Sequence, residues 1–181
     1  PVDEYIVAGI ESSWGKAAVR IPVLGRFNVS NALGVLGCLV AKGISFEQAA
    51  RLLERLPPVA GRMQRVGDEP LVVIDYAHTP DALDNVLQAL RPLAQARGGR
   101  LAVLFGAGGD RDPAKRPLMG AVAARLADRV LVTSDNPRSE DPLLIIKGVL
   151  AGAPACEVEP DRARAIEKIV STAQKTDVIL I

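Results

Sequence analysis

The chain has 181 residues, 49% hydrophobic and 24% charged, a composition that supports a packed core and excludes a disordered chain. Its formal net charge is +1 and its charges are mixed along the sequence, so there is no electrostatic case for a nucleic-acid or membrane-surface partner. Aromatic residues are only 3%, which leaves Ala, Leu and Val to fill the core, as suits a sheet covered by helices.

Two edge-like extended segments open the chain, Tyr5 to Ile10 and Ala17 to Leu24. Asn28 to Lys42 reads as an apolar helix ending at Gly43. Ser45 caps a second helix, with Glu47 and Gln48 in its first turn and Leu52, Leu53 and Leu56 on one face. Pro57-Pro58 stops it, and with Gly61 marks the best domain boundary, dividing residues 1–60 from 61–181. Beyond it, short apolar runs alternate with helix-length amphipathic stretches. The runs are Leu71 to Ile74, Leu101 to Phe105, Val130 to Thr133, a weaker one at Cys156 to Val158, and Val178 to Ile181. The helices are Pro80 to Ala96, Ala114 to Leu126, Pro142 to Leu150 and Arg162 to Gln174. Thr79-Pro80, Asp112-Pro113 and Asp141-Pro142 each set a capping residue before a first-turn proline. Pro117 either lies inside the second of these helices or resets its start. Strands apolar on both faces predict a mainly parallel α/β sheet flanked by helices.

Cys38 and Cys156 sit in apolar sequence with no CxxC pairing, and read as reduced, buried cysteines of a cytoplasmic protein. The longest apolar run, Ala32 to Ala41, is too short to span a bilayer, and no signal peptide opens the chain. The start at Pro1 and the apolar end at Val178–Ile181 read as those of a piece of a longer protein.

Three strands run directly into polar segments: Asp75 to Asp81, Gly106 to Asp112, and Ser134 to Ser139. In a parallel sheet all three emerge at one edge, where open α/β folds bind ligands. Arg111 and Arg138 suit carboxylates, because the guanidinium fork matches that geometry. Asp135 and Asn136 suit an ammonium group. Asp75 suits a ribose hydroxyl, and Arg62 and Lys115 suit phosphate. The chemistry is that of a nucleotide and an amino acid brought together. Each segment also has a plainer reading: a strand-end turn at Asp75, a tight glycine turn at 106–109, an Asx turn at Asp135. His78, the only histidine, is read as a structural group, and no metal site is assigned. Gly9 to Lys16 is not a phosphate loop: its first glycine lies one position too far back, and Ala17 stands where Ser or Thr would touch magnesium.

The segment Asp75-Tyr76-Ala77-His78-Thr79-Pro80-Asp81-Ala82-Leu83 resembles the opening signature of the C-terminal domain of the Mur ligases, in particular the UDP-N-acetylmuramoyl-tripeptide synthetases. Gly25-Arg26-Phe27-Asn28-Val29-Ser30-Asn31, Gly61-Arg62-Met63, Gly108-Gly109-Asp110-Arg111-Asp112 and Asp135-Asn136-Pro137-Arg138 follow that family's order over nearly the whole chain. The resemblance implies that residues 1–60 end a central ATP-binding domain and that 61–181 form most of a C-terminal domain. It implies nucleotide contacts at Asn28, Asn31, Arg62, Asp75, Tyr76 and His78. It implies meso-diaminopimelate contacts at Arg111, Asp135, Asn136, Pro137 and Arg138, the last motif being the mark of diaminopimelate users. The implied reaction is ATP- and Mg²⁺-dependent amide formation on a UDP-linked muramoyl dipeptide, in peptidoglycan synthesis, with no membrane or nucleic-acid partner. A substrate carboxylate takes the phosphoryl group, and the amine then displaces phosphate. The family's phosphate loop, magnesium ligands, modified lysine and GKGHE segment have no counterpart in these residues, so no catalytic residue is assigned and the chain alone is expected to have no ligase activity. A lysine- or glutamate-adding ligase and a non-catalytic binding module are the alternatives.

Overall fold

The computed structural model describes residues 5–25, 27–57 and 59–181. Pro1, Arg26 of the asparagine motif and Pro58 of the double proline lie outside the described residues. The chain divides into two compact units, Pro1–Met63 and Gln64–Ile181.

In the first unit, β1 (Ile6–Ser12) and β2 (Gly15–Ile21) form an antiparallel hairpin in which Ile6 faces Ile21 and Ser12 faces Gly15. The stretch from Gly9 to Lys16 is therefore paired strand and a tight turn, not a loop that wraps a phosphate. Two helices follow, α1 (Phe27–Ala41) and α2 (Phe46–Leu53). The Ser45 hydroxyl caps α2 by accepting from the Gln48 N–H at 3.3 Å. Ile10, Val19, Ile21, Leu36, Phe46 and Leu53 form the core.

The second unit is a six-stranded sheet in the order β3-β4-β8-β5-β6-β7. Its strands are β3 (Gln64–Asp68), β4 (Leu71–Ile74), β5 (Leu101–Phe105), β6 (Arg129–Val132), β7 (Glu157–Val158) and β8 (Val178–Leu180). All neighbours pair parallel except β3 and β4. The helices are α3 (Pro80–Ala96), α4 (Lys115–Leu126), α5 (Pro142–Leu150) and α6 (Arg162–Ser171). Alternation along the strands splits the core in two. Val72, Ala102, Leu104, Leu131 and Ile179 pack against Ala165 and Ile169 of α6. Residues of the opposite parity, such as Val73, Leu101, Val103 and Val132, are equally buried, and α3, α4 and α5 pack in series and touch β5, β6 and β8. The α4–α5 seam is closed by glycines: a Cβ at Gly120 would overlap the Val149 carbonyl, and one at Gly152 the Pro117 carbonyl.

Edge strand β3 was not foreseen, because Gln64-Arg65-Val66-Gly67-Asp68 is polar and irregular; its register slips between Arg65 and Gly67. α6 stops at Ser171, short of Gln174. Thr79 and Asp141 cap their helices, but Asp112 does not: its carboxylate accepts from the Ala114 N–H, and α4 starts at Lys115 without a side-chain cap. Pro117 sits in the first turn of α4, where its missing N–H has no helical partner to lose. The cysteines are free, as expected, yet Cys38 is exposed and Cys156 only half-buried, so the reading of both as buried is corrected. Among the described residues no helix is long and apolar enough to cross a membrane.

Candidate functional site

β4, β5 and β6 run parallel, so the segments that follow them leave the sheet at one edge. They are not evenly spaced. β5 and β6 are neighbours, whereas β8 lies between β4 and β5. At about 4.8 Å per strand, the Asp75 segment starts roughly 10 Å from the Gly106 segment. The chain steps outward from β5 to β7 and returns as β8 between β4 and β5, which places the switch in strand order at this edge.

The first segment is held by local bonds. The Asp75 N–H donates to the Ile181 carbonyl at 3.0 Å. His78 Nδ1 lies 3.0 Å from the Tyr76 carbonyl, and the two rings meet edge to face, their centroids 5.2 Å apart. The Thr79 hydroxyl then accepts from the Ala82 N–H to start α3. Tyr76 and His78 are both exposed. Among the described residues no group of three His, Cys, Asp or Glu converges as a metal ion would require.

The second and third segments are joined to each other. The Gly109 N–H donates to the Asn136 carbonyl at 2.9 Å, and Arg138 Nη1 donates to the Gly109 carbonyl. Asp110 accepts at one carboxylate oxygen from the Ser139 hydroxyl at 2.7 Å, and at the other from the Ser139 N–H at 3.3 Å. Glu140 Oε1 accepts from the Asp110 N–H at 2.6 Å and from Arg116 Nη2 at 2.7 Å. The bonds from Ser139 hold the Asp110 carboxyl below its usual range, assisted by the Arg138 charge. The Arg116 guanidinium, and then the Asp110 N–H, do the same for Glu140. Close approach needs glycine: a Cβ at Gly109 would overlap the Pro137 carbonyl, and one at Gly106 would lie 2.6 Å from the Thr133 carbonyl. Asp110 and Arg138 both have φ of 50°, a left-handed backbone that the bonds between the segments hold in place.

This junction gathers the residues read as amino-acid contacts. A Cβ at Gly108 would lie 3.0 Å from Arg138 Nη1 and 3.8 Å from Arg111 Cγ, so both arginine side chains border the same glycine. Asp135, Asn136, Arg111 and Arg138 are exposed, and Pro137 is half-buried. The backbone carbonyls of Asn136 and Pro137, the latter accepting from the Glu140 N–H, hold the loop in shape. Arg116, Ser139 and Glu140 were not read as site residues, and Asp110 only as part of a motif. One signal for Arg116 was present: it falls at the same helical face as Met119, Gly120 and Ala123, where a buried arginine needs a partner.

Of the other expected residues, Asn28, Asn31 and Arg62 belong to the first unit and Lys115 to the second. Asn28 Nδ2 donates to the Leu24 carbonyl at 2.7 Å, and its Oδ1 accepts from Asn31 Nδ2 at 2.9 Å, so the pair braces the start of α1. Arg62 is exposed between two left-handed residues, Gly61 at φ 67° and Met63 at φ 48°. Lys115 is exposed as the first residue of α4.

Residues 61–181 match the family described as Mur ligase, glutamate ligase domain. The UDP-N-acetylmuramoyl-L-alanyl-D-glutamate–2,6-diaminopimelate ligase of Ralstonia nicotianae is 54% identical over 178 residues, covering 95% of this chain and 34% of its own length. The enzyme of the same name from Chromobacterium violaceum is 52% identical over 176 residues, covering 95% of this chain and 36% of its own. A solved structure of a UDP-N-acetylmuramoyl-L-alanyl-D-glutamate–2,6-diaminopimelate ligase superposes with a TM-score of 0.61 at 36% identity, over 98% of this chain and 39% of that one. The chain thus spans about a third of the length of the curated relatives it matches.

Proposed function

Because the chain belongs to the Mur ligase family, we propose that its parent protein is an ATP-dependent amide ligase that joins meso-diaminopimelate to UDP-N-acetylmuramoyl-L-alanyl-D-glutamate in peptidoglycan synthesis. The observation that carries this reading is the pair of exposed arginines, Arg111 and Arg138, bordering Gly108 beside Asp135 and Asn136. Two guanidinium groups next to a carboxylate and an amide complement a ligand with separated carboxylates and an ammonium group. Lysine lacks the second carboxylate and would leave one cation without its partner.

The remaining roles are those that the family resemblance of the motifs implies. Asp75, at the end of β4, would hold ribose hydroxyls, with the Tyr76 and His78 rings beside it. Asn28 and Asn31 would lie near the adenine, and Arg62 near the terminal phosphate. ATP would supply the phosphoryl group that activates the substrate carboxylate for attack by the amine. Mg²⁺ would accompany the ATP, and among the described residues no group of three His, Cys, Asp or Glu could hold it. A nucleotide-linked substrate and ATP would suit a reaction in the cytoplasm.

The test is the full-length parent assayed with ATP, the UDP-linked dipeptide and, in turn, meso-diaminopimelate, lysine and glutamate. We expect a kcat/KM for diaminopimelate about 10⁴-fold above that for lysine, the discrimination available when a mispaired polar group is left in a site. Equal use of lysine would overturn the substrate assignment. Absence of any ATP-dependent product would favour a binding module.

A further inference from the structure

We propose that Arg116 and Glu140 are positioning residues for the incoming diamino acid: together they fix the Asp135–Arg138 loop against the Gly106–Asp112 loop and so aim Arg138. The inference rests on the substrate reading above but names residues that reading does not use.

Glu140 lies immediately after the loop that carries Arg138, and its carboxylate reaches two places at once. It accepts from the Asp110 N–H at 2.6 Å, inside the other loop, and from Arg116 Nη2 at 2.7 Å, on α4. Arg116 is an anchor rather than a surface charge. Its side chain is 8% exposed, and its Nε is buried without a hydrogen-bond partner. Its stem runs over Gly148 of α5, where a Cβ would come within 3.0 Å of Arg116 Cδ. The glycine-closed α4–α5 seam thus sets where the guanidinium sits, and Glu140 is its one ion-pair partner among the described residues. Glu140 in turn sets Asp110, which holds Ser139 through both carboxylate oxygens, and Ser139 adjoins Arg138. Arg138 has φ of 50° and gives Nη1 to the Gly109 carbonyl, so its remaining donors point where this chain of bonds directs them. Neither Arg116 nor Glu140 is counted among the ligand contacts. Their effect is on the orientation of Arg138, and orientation errors of an ångström cost up to about 100-fold in a positioned reaction.

The experiment uses the full-length parent with two variants, Glu140→Ala and the double variant Arg116→Met/Glu140→Ala. Glu140→Ala alone strands a buried cation and lowers Tm; removing both charges relieves that burden and returns Tm to within a few degrees of wild type. We expect the KM for meso-diaminopimelate to rise about 10- to 100-fold in both variants, while the KM values for ATP and the UDP-linked dipeptide stay within about twofold. Recovery of the diaminopimelate KM together with Tm in the double variant overturns the proposal, because the pair would then act only through stability. A parallel rise of all three KM values overturns it as well. If the wild-type parent prefers another amine, the substrate reading fails on its own, and the same variants test the positioning role on that amine.

Discussion

The carboxylate of Glu140 accepts from the backbone N–H of Asp110, and the carboxylate of Asp110 accepts in return from Ser139, the residue before Glu140. The two loops therefore hold each other through acidic side chains aimed at backbone or hydroxyl donors, while the arginines between them remain exposed. Charge-assisted bonds of this kind are shorter and stronger than neutral ones, which suits a site that must keep two cations side by side without collapsing.

Arg138→Ala in the full-length parent should weaken use of meso-diaminopimelate by roughly 10- to 150-fold, the value of a charge-assisted hydrogen bond of about 1.5–3 kcal/mol. Steady-state rates with diaminopimelate and with lysine check it. An unchanged preference between the two amines would show that the second carboxylate is recognised elsewhere.

Asp75→Ala should raise the KM for ATP and leave the KM for the diamino acid within about twofold, because β8 separates its strand from β5 and substitutions roughly 10 Å apart act largely independently. Titration of both substrates against the variant decides the point. A matching rise for the amine would place Asp75 in the amino-acid site instead.

Glu157 provides a pH signature outside the site. Arg129 and then Lys168 hold its carboxyl down from 4.5 to about 2. A depressed carboxylate contributes stability above its unfolded value and loses it as pH falls through the folded one. The Tm difference between wild type and Glu157→Gln should therefore be constant above about pH 5, shrink between pH 4.5 and 2, and vanish below. A difference that persisted at the acidic end would point to lost packing rather than lost charge.

Gly120→Ala and Gly152→Ala should each destabilise the second unit by about 1–3 kcal/mol, since a methyl group would meet the carbonyl of Val149 or Pro117. Denaturant midpoints with unchanged slopes would record it. An alanine tolerated without loss at both positions would mean that the α4–α5 seam relaxes easily, and Arg116 would then be a poorer anchor than its burial indicates.

Much of this protein is determined by sequence alone. The continuous apolar run Leu101 to Phe105, too short for a typical helix, suits a strand covered on both faces, and all five of its residues are buried. Thr79 and Asp141 mark helix starts through local hydrogen bonds that need no tertiary context. The three polar segments after β4, β5 and β6 were legible for the same reason. Tertiary structure decided what lies between elements far apart in the chain. It put β8 between β4 and β5, which sets the first segment apart from the other two. It added β3, whose pairing comes from the exposed edge of β4 rather than from any apolar pattern of its own. It left Cys38 exposed on a helix that is mostly apolar. It brought Glu140 to Asp110 and Arg116 to Glu140, contacts across thirty and twenty-four positions. Local propensity and periodicity carry no information about such pairs; the packing of α4 on α5 and of β5 beside β6 does.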